Sequence, residues 1–169
     1  MTTIAIQAID DTLRLWVAQT TIEQWGADIV VAHGVVYCPH DLPGFVAVQG
    51  AERVGLLTYH IAGKACEIVT LDSFRENQGG GTALIEAAKQ VARQAGCRRL
   101  WLITTNDNTH ALRFYQKRGF ALVAVHRNAV AEARKIKPEI PLIGNDGIPI
   151  RDEIELEMEL NHEAHEENK

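Results

Sequence analysis

Residues 3–9 read as a short extended segment, and from Asp10 onward the apolar spacing turns helical. Asp10, Asp11 and Thr12 offer capping oxygens, the amphipathic stretch runs to about Gln24, and Gly26 closes it. Residues 29–44 carry two signals: 29–31 and 35–37 suit extended chain, whereas Pro39 and Pro43 mark a loop. Three short apolar segments follow at 45–48, 54–61 and 66–73. The turns at 49–52 and 62–64 make them an antiparallel meander.

The period then changes. Gly79-Gly80-Gly81 leads into a helix over 82–95, with apolar positions at Leu84, Ile85, Ala88, Val91 and Ala92. Gly96 ends it, and the apolar strand at 99–104 suits burial on both faces. A short helix at 109–117 stops at Gly119, and a strand follows at 121–125. Alternating strands and helices here predict a crossover unit. A further helix is predicted at 129–137, then a Pro- and Gly-rich loop at 138–152. The last segment, 153–160, alternates charged and apolar residues, which predicts a half-buried strand near a sheet edge. A single domain is expected over 1–160, with a polar, frayed tail at 161–169.

Composition narrows the function more than the fold. The 169 residues suit one domain, and the net charge of -5 without a basic stripe argues against nucleic-acid binding. Cys38, Cys66 and Cys97 are odd in number, match no zinc or redox spacing and read as inert thiols. The start, Met1-Thr-Thr-Ile, lacks a basic region followed by an apolar one. No apolar run approaches the ~18 residues needed to span a bilayer, so no membrane association and a cytoplasmic, reducing location are expected.

Gln78-Gly-Gly-Gly-Thr-Ala follows a strand and opens a helix, where unpaired backbone N–H groups converge outward and favour a phosphate. No lysine follows Gly81, which excludes a P-loop, and Leu84 stands where a dinucleotide fingerprint needs Gly or Ala. A plain helix cap is the alternative reading. About thirty residues on comes Asn108-Thr-His-Ala-Leu-Arg-Phe-Tyr-Gln-Lys-Arg-Gly-Phe120. Gln78-x-x-Gly81-x-Ala83 resembles the acetyl-CoA loop of the GNAT N-acetyltransferase superfamily, and the Asn108–Phe120 run resembles its second motif. The resemblance covers roughly residues 44–125.

That resemblance implies a single α/β domain. Its mixed, mostly antiparallel sheet of about seven strands is flanked by helices and splayed between the fourth strand (66–73) and the fifth (99–104). It implies acetyl-CoA as co-substrate, no metal, and a small-molecule or peptide amine as acceptor, with a homodimer possible. Leu71 and Ser73 would pair with the cofactor's pantetheine arm. Gln78, Gly79, Gly80, Gly81, Thr82 and Ala83 would hold its pyrophosphate, as helix N-terminus physics also suggests. Asn108 would orient the arm or cap its own helix. Tyr115 would be the general acid for the departing thiolate, against a packing role between helix and sheet. Glu67, where histone-type members carry a glutamate, is the candidate base working through a water. Its alternative is a carboxylate facing solvent or an arginine. Asp72, His60 and His126 are reserve bases.

Beyond Val125 the family pattern weakens, and the connection to the last strand is long, as in a bacterial branch of the superfamily. The loop at 138–152 is expected to wall the acceptor pocket, its rival being a dimer contact through Ile140, Leu142 and Ile143. Rival functions are acyl transfer from another acyl-CoA, and a non-catalytic CoA-binding module.

Overall fold

Asp10 caps as its chemistry predicts: its Oδ1 accepts the Thr12 N–H at 3.0 Å. In the computed structural model, which describes residues 3–76 and 78–160, β1 (Ile4–Ala8) precedes that cap. A single 3-10 turn at Asp11–Leu13 then leads into α1 (Arg14–Trp25), and Gly26 at φ 82° ends the helix. The stretch with conflicting signals resolves into a hairpin, β2 (Val30–Ala32) and β3 (Val35–Tyr37), turned at His33 and Gly34. A 3-10 turn follows at Pro39–Asp41.

The meander forms as β4 (Gly44–Gln49), β5 (Glu52–Ala62) and β6 (Ala65–Ser73). Then come α2 (Gly80–Gln94), β7 (Arg99–Thr105), α3 (Thr109–Lys117), β8 (Ala121–His126), α4 (Ala129–Ile136) and β9 (Glu153–Glu159). The expected tail at 161–169 lies outside the described residues, with His162 and His165.

Seven strands form one mixed sheet in the order β1-β4-β5-β6-β7-β9-β8. Only the β6–β7 pair is parallel, the two strands being joined through α2. β9 lies near an edge, as expected, but is not the edge itself: it is antiparallel between β7 and β8, and β8 forms the edge. Its alternation fits that position because the helices cover only one face there. Ile154, Leu156 and Leu160 join the core, while Glu155 and Glu157 lie on the other face with Arg99, and Glu155 also meets His126.

α2 and α3 cover one side of the sheet, packing Leu84, Ile85, Ala88 and Tyr115 on Leu57, Ile68, Leu100, Leu102 and Leu156. Cys66 and Cys97 are buried there as free thiols, and burial pushes Cys66 up to about 12. On the opposite side α1 packs Leu13 and Val17 on Val46 and Leu56. Beside it the hairpin sets Val30 and Tyr37 against Val69.

Two features shape the site. First, Thr58 pairs with Thr70 while Tyr59 pairs with Ile68, so Val69 is a bulged residue with no partner on β5. Second, the β6–β7 ladder covers only Ala65–Ile68 against Arg99–Leu102, and past the bulge the strands part. The long connection is tightly held. Arg134 donates to the carbonyls of Ile140, Pro141 and Ile150, Asp107 accepts from Asn145, and Asn106 Oδ1 accepts from the N–H groups of Arg151 and Asp152.

Gly44 starts β4 where three segments crowd: an added Cβ would lie 2.1 Å from the Leu57 carbonyl oxygen and 2.8 Å from Ile9 Cδ1. Backbone cannot step aside as a side chain can. Gly44→Ala is therefore expected to cost about 2 kcal/mol or more in urea unfolding, and a near-neutral result would contradict the close approach.

Candidate active site

Where β6 and β7 part, a cavity of about 240 Å³ opens between them, lined by Ile68, Val69, Leu71 and Asp72 on one strand and Leu102, Ile103 and Thr104 on the other. Asn108, Ala111 and Tyr115 of the α3 segment close one side, and Gln24 and Trp25 at the end of α1 close another. Leu71, Asp72, Asn108 and Tyr115 also line a neighbouring cavity that continues along Ser73 to Gly81 and Phe114. That cavity shares Ser73, Gly81 and Phe114 with a third, which contains Gly79, Gly80, Thr82 and Arg118. The three make one groove, running from the parted strands to the N-terminus of α2.

At that terminus Gly79 is the cap residue at φ 86°. The Ala83 N–H already donates to the Gly79 carbonyl at 3.0 Å, so Ala83 is removed from the expected phosphate donors. The first helical amides, those of Gly80, Gly81 and Thr82, are the ones an α-helix leaves unpaired. Gln78 is exposed and lines none of these cavities. Gly81 also serves packing, since an added Cβ would come within 2.9 Å of the Phe114 ring. Arg118, which sequence reasoning missed, stacks its guanidinium 3.5 Å from the Phe114 ring centroid and donates to Thr82 Oγ1 at 3.0 Å. It brings a cation to the end of the groove where an anion would sit. Its position beside Gly119 in the second motif was the available signal. Arg75, which also lines the third cavity, pairs with Glu52, and Lys89 pairs with Glu86.

Asn108 has both expected roles open to it. Its Oδ1 accepts the Ala111 N–H at 3.2 Å and caps α3, while its amide NH₂ has no partner among the described residues and the residue lines the groove. Tyr115 is buried between the rings of Phe114 and Phe120, at centroid distances of 5.2 and 5.3 Å, so its packing role is real. Its residue also lines the groove, and its hydroxyl has no hydrogen-bond partner among the described residues. Burial, reinforced by the Asp72 carboxylate and opposed by Arg118, holds that hydroxyl protonated above its ordinary value of 10.

Glu67 sits elsewhere. It is buried on the hairpin side of the sheet, within the paired part of the β6–β7 ladder, and lines none of the groove cavities. It faces neither solvent nor an arginine: the Tyr37 hydroxyl donates to it at 2.5 Å, and His33 Nε2 lies 2.9 Å from both its oxygens. His33 also rests on Trp101, at a centroid distance of 4.9 Å. The Glu67 side chain is 3% exposed and that of His33 28%. Among the reserve carboxylates, Asp72 lines the groove and accepts from Trp25 Nε1 at 3.1 Å. Burial pushes Asp72 up to about 6, against the pull of that bond. His60 lies beside the Tyr37 ring and His126 pairs with Glu155, both off the groove.

A further cavity of about 370 Å³ adjoins the groove at Gln24 and Trp25. The long connection supplies Glu139, Ile140, Pro141 and Ile150 to its wall, α4 supplies Val130 and Ala133, and the hairpin supplies Val30 and Val31. Leu142 and Ile143 point away, 71% and 56% exposed. Among the described residues no group of three or more His, Cys, Asp or Glu could hold a metal ion, and no helix is long and apolar enough to cross a membrane.

Comparison with known proteins points the same way. The profile of the acetyltransferase (GNAT) family matches residues 11–120. The uncharacterized protein YdhI of Bacillus subtilis (strain 168) is 49% identical over 134 residues, covering 78% of this chain and 83% of that protein. Among solved structures, an IAA acetyltransferase from Bacillus cereus ATCC 14579 superposes with a TM-score of 0.68 at 23% identity, over 94% of this chain and all of the other. A GNAT family acetyltransferase from Elizabethkingia anophelis with acetyl-CoA bound gives 0.65 at 23% identity, over 93% and 98% of the two chains.

The raised Asp72 carboxyl makes a testable demand. A carboxyl at about 6 in the folded chain, against an ordinary 3.8, binds its proton more tightly folded than unfolded. Stability therefore falls as pH rises from about 4 to 6. Asp72→Asn, which keeps an acceptor for Trp25, is expected to flatten that segment of the stability–pH curve and to be at least as stable as wild type at pH 7. An unchanged slope in urea titrations across this range would contradict the burial argument.

Proposed function

Because the chain belongs to the GNAT acetyltransferase family, we propose that it is an N-acetyltransferase. It takes acetyl-CoA in the groove and passes the acetyl group to a primary amine. The observation that carries this reading is a continuous groove with an unpartnered phenol at its parted-strand end and a glycine-lined helix N-terminus at the other. Free amides of Gly80, Gly81 and Thr82, with Arg118 beside them, suit a pyrophosphate. The backbone of β6 past the bulge, at Leu71 and Ser73, lies along the groove where the amides of a pantetheine arm would pair. Asn108 offers its free amide to the same arm.

The amine nitrogen attacks the thioester carbonyl carbon, the new C–N bond replaces the C–S bond, and coenzyme A leaves as its thiol. Tyr115, protonated throughout the physiological range, donates the proton that the thiolate takes up. Glu67 is the base for the proton the amine sheds. Its carboxylate is sealed from solvent, so its path to the amine runs through the His33 imidazole. Asp72, in the groove wall, is the second carboxylate that could serve, and Glu67→Gln and Asp72→Asn compared side by side separate them.

The test is isothermal titration with acetyl-CoA followed by a thiol-release screen over a panel of amines. Acetyl-CoA is expected to bind, and coenzyme A to be released only when an acceptor is present. Tyr115→Phe should retain binding while kcat drops by about 10²–10⁴-fold. Binding with unaltered turnover in Tyr115→Phe would remove the acid role, and no acetyl-CoA binding would remove the reading as a whole.

A further inference from the structure

The cavity beside the groove holds two buried groups of opposite charge whose hydrogen-bonding capacity the described residues use only in part. Lys137, at the end of α4, is 4% exposed and lines the cavity. Its ammonium donates one hydrogen bond, to the Trp25 carbonyl oxygen at 2.7 Å, which ties α4 to the C-terminus of α1. An ammonium has three N–H donors, and the other two find no acceptor among the described residues. Glu139 also lines the cavity and its charge acts on the Lys137 ammonium from a distance, but it is exposed and no hydrogen bond or ion pair joins the two. Glu153, at the start of β9, is 5% exposed, and its two oxygens share a single donor, the His33 backbone N–H, at 3.3 and 3.2 Å. A carboxylate offers about four acceptor sites, so most of its capacity is unused. Buried charges are costly unless paired, and both of these face one cavity.

The rest of the lining is apolar: Val30, Val31, Val130, Ala133, Ile140 and Ile150. The volume of about 370 Å³ is near the lower end of the ~300–1,000 Å³ typical of small-molecule sites. Glu153 stands opposite Thr105 in the β7–β9 ladder, next to Thr104 of the groove. The carboxylate thus lies beside the end of the groove where strands β6 and β7 part.

From this arrangement we infer that the cavity binds the acceptor, and that the acceptor is an apolar amino acid or a close analogue. Its amine is drawn to Glu153, its acid group pairs with Lys137, and its side chain fills the aliphatic wall. This rests on the reading of the groove as the acetyl-CoA site and adds the acceptor's chemical class.

The test pairs each amino acid with the amine left when its carboxylate is removed: leucine with 3-methylbutylamine, methionine with 3-(methylthio)propylamine, phenylalanine with 2-phenylethylamine. Turnover is read by thiol release, and binding of the same compounds by saturation-transfer NMR. At least one amino acid is expected to exceed its amine by about tenfold or more in kcat/KM, because a site built around a charged partner rejects the analogue lacking it. Lys137→Met should shrink that ratio toward unity and Lys137→Arg should restore it, which a purely structural staple between α4 and α1 would not do. If Lys137→Met fails to fold, the wild-type ratio and the loss of amino-acid binding in Glu153→Gln still decide. Amines used or bound as well as their amino acids would overturn the inference, as would neither being used by protein that binds acetyl-CoA. Failure to bind acetyl-CoA at all would instead overturn the functional reading beneath it.

Discussion

Two parallel strands that pair for four residues and then part leave facing rows of backbone N–H and C=O groups without partners. In a protein interior such groups must find them elsewhere. β6 keeps its outer side paired to β5 as far as Ser73, and β7 keeps its outer side paired to β9 as far as Thr105. Only the inner rows open, beyond Ile68 and Leu102. The bulge at Val69 fixes where this happens, because an extra residue bends β6 and ends regular pairing. The gap between the strands is therefore a binding surface made of backbone, and an extended, amide-bearing ligand satisfies it as a third strand would.

The two faces of the sheet then divide the labour. On one side α2 brings an amide-rich N-terminus and α3 brings Tyr115 and Arg118 to a single groove, and the close approach of Phe114 to Gly81 sets their spacing. On the other, the hairpin, the end of α1, α4 and the long connection enclose a second cavity. Trp25 joins the two halves: its indole holds Asp72 in the groove and its carbonyl holds Lys137 in the adjoining cavity. Arg134 and Asp107 give the connection the rigidity of a wall, although it contains hardly any regular structure.

Much of this was legible in the sequence where the signal was local. The glycine turn, the Asn108–Phe120 motif and the meander each rest on residues close in the chain, and all fall where expected. Position within the sheet was not local. The alternation of Ile154, Leu156 and Met158 reports one covered face, which an edge strand and its inner neighbour share, so it set β9 near an edge without naming the strands on either side of it. At 30–37 the two extended segments were legible but their pairing as a hairpin was not, because each is three residues long and Pro39 and Pro43 stand close by. The partners of Glu67 come from 30 and 34 residues away, and no spacing rule links them. Ala83 was lost to the ordinary helical bond that begins at the cap. Nothing in the sequence neighbours of Lys137 and Glu153 tells of their burial, which depends on segments distant in the chain.

The most direct measurement of the central claim, that the parted strands and the α2 terminus form one ligand groove, is residue-resolved amide hydrogen exchange with and without saturating acetyl-CoA. Protection is expected to rise at Leu71, Ser73 and Gly80–Thr82, with little change along β4. Binding that left those amides unprotected, or that protected β4 or the outer face of β8 instead, would contradict it.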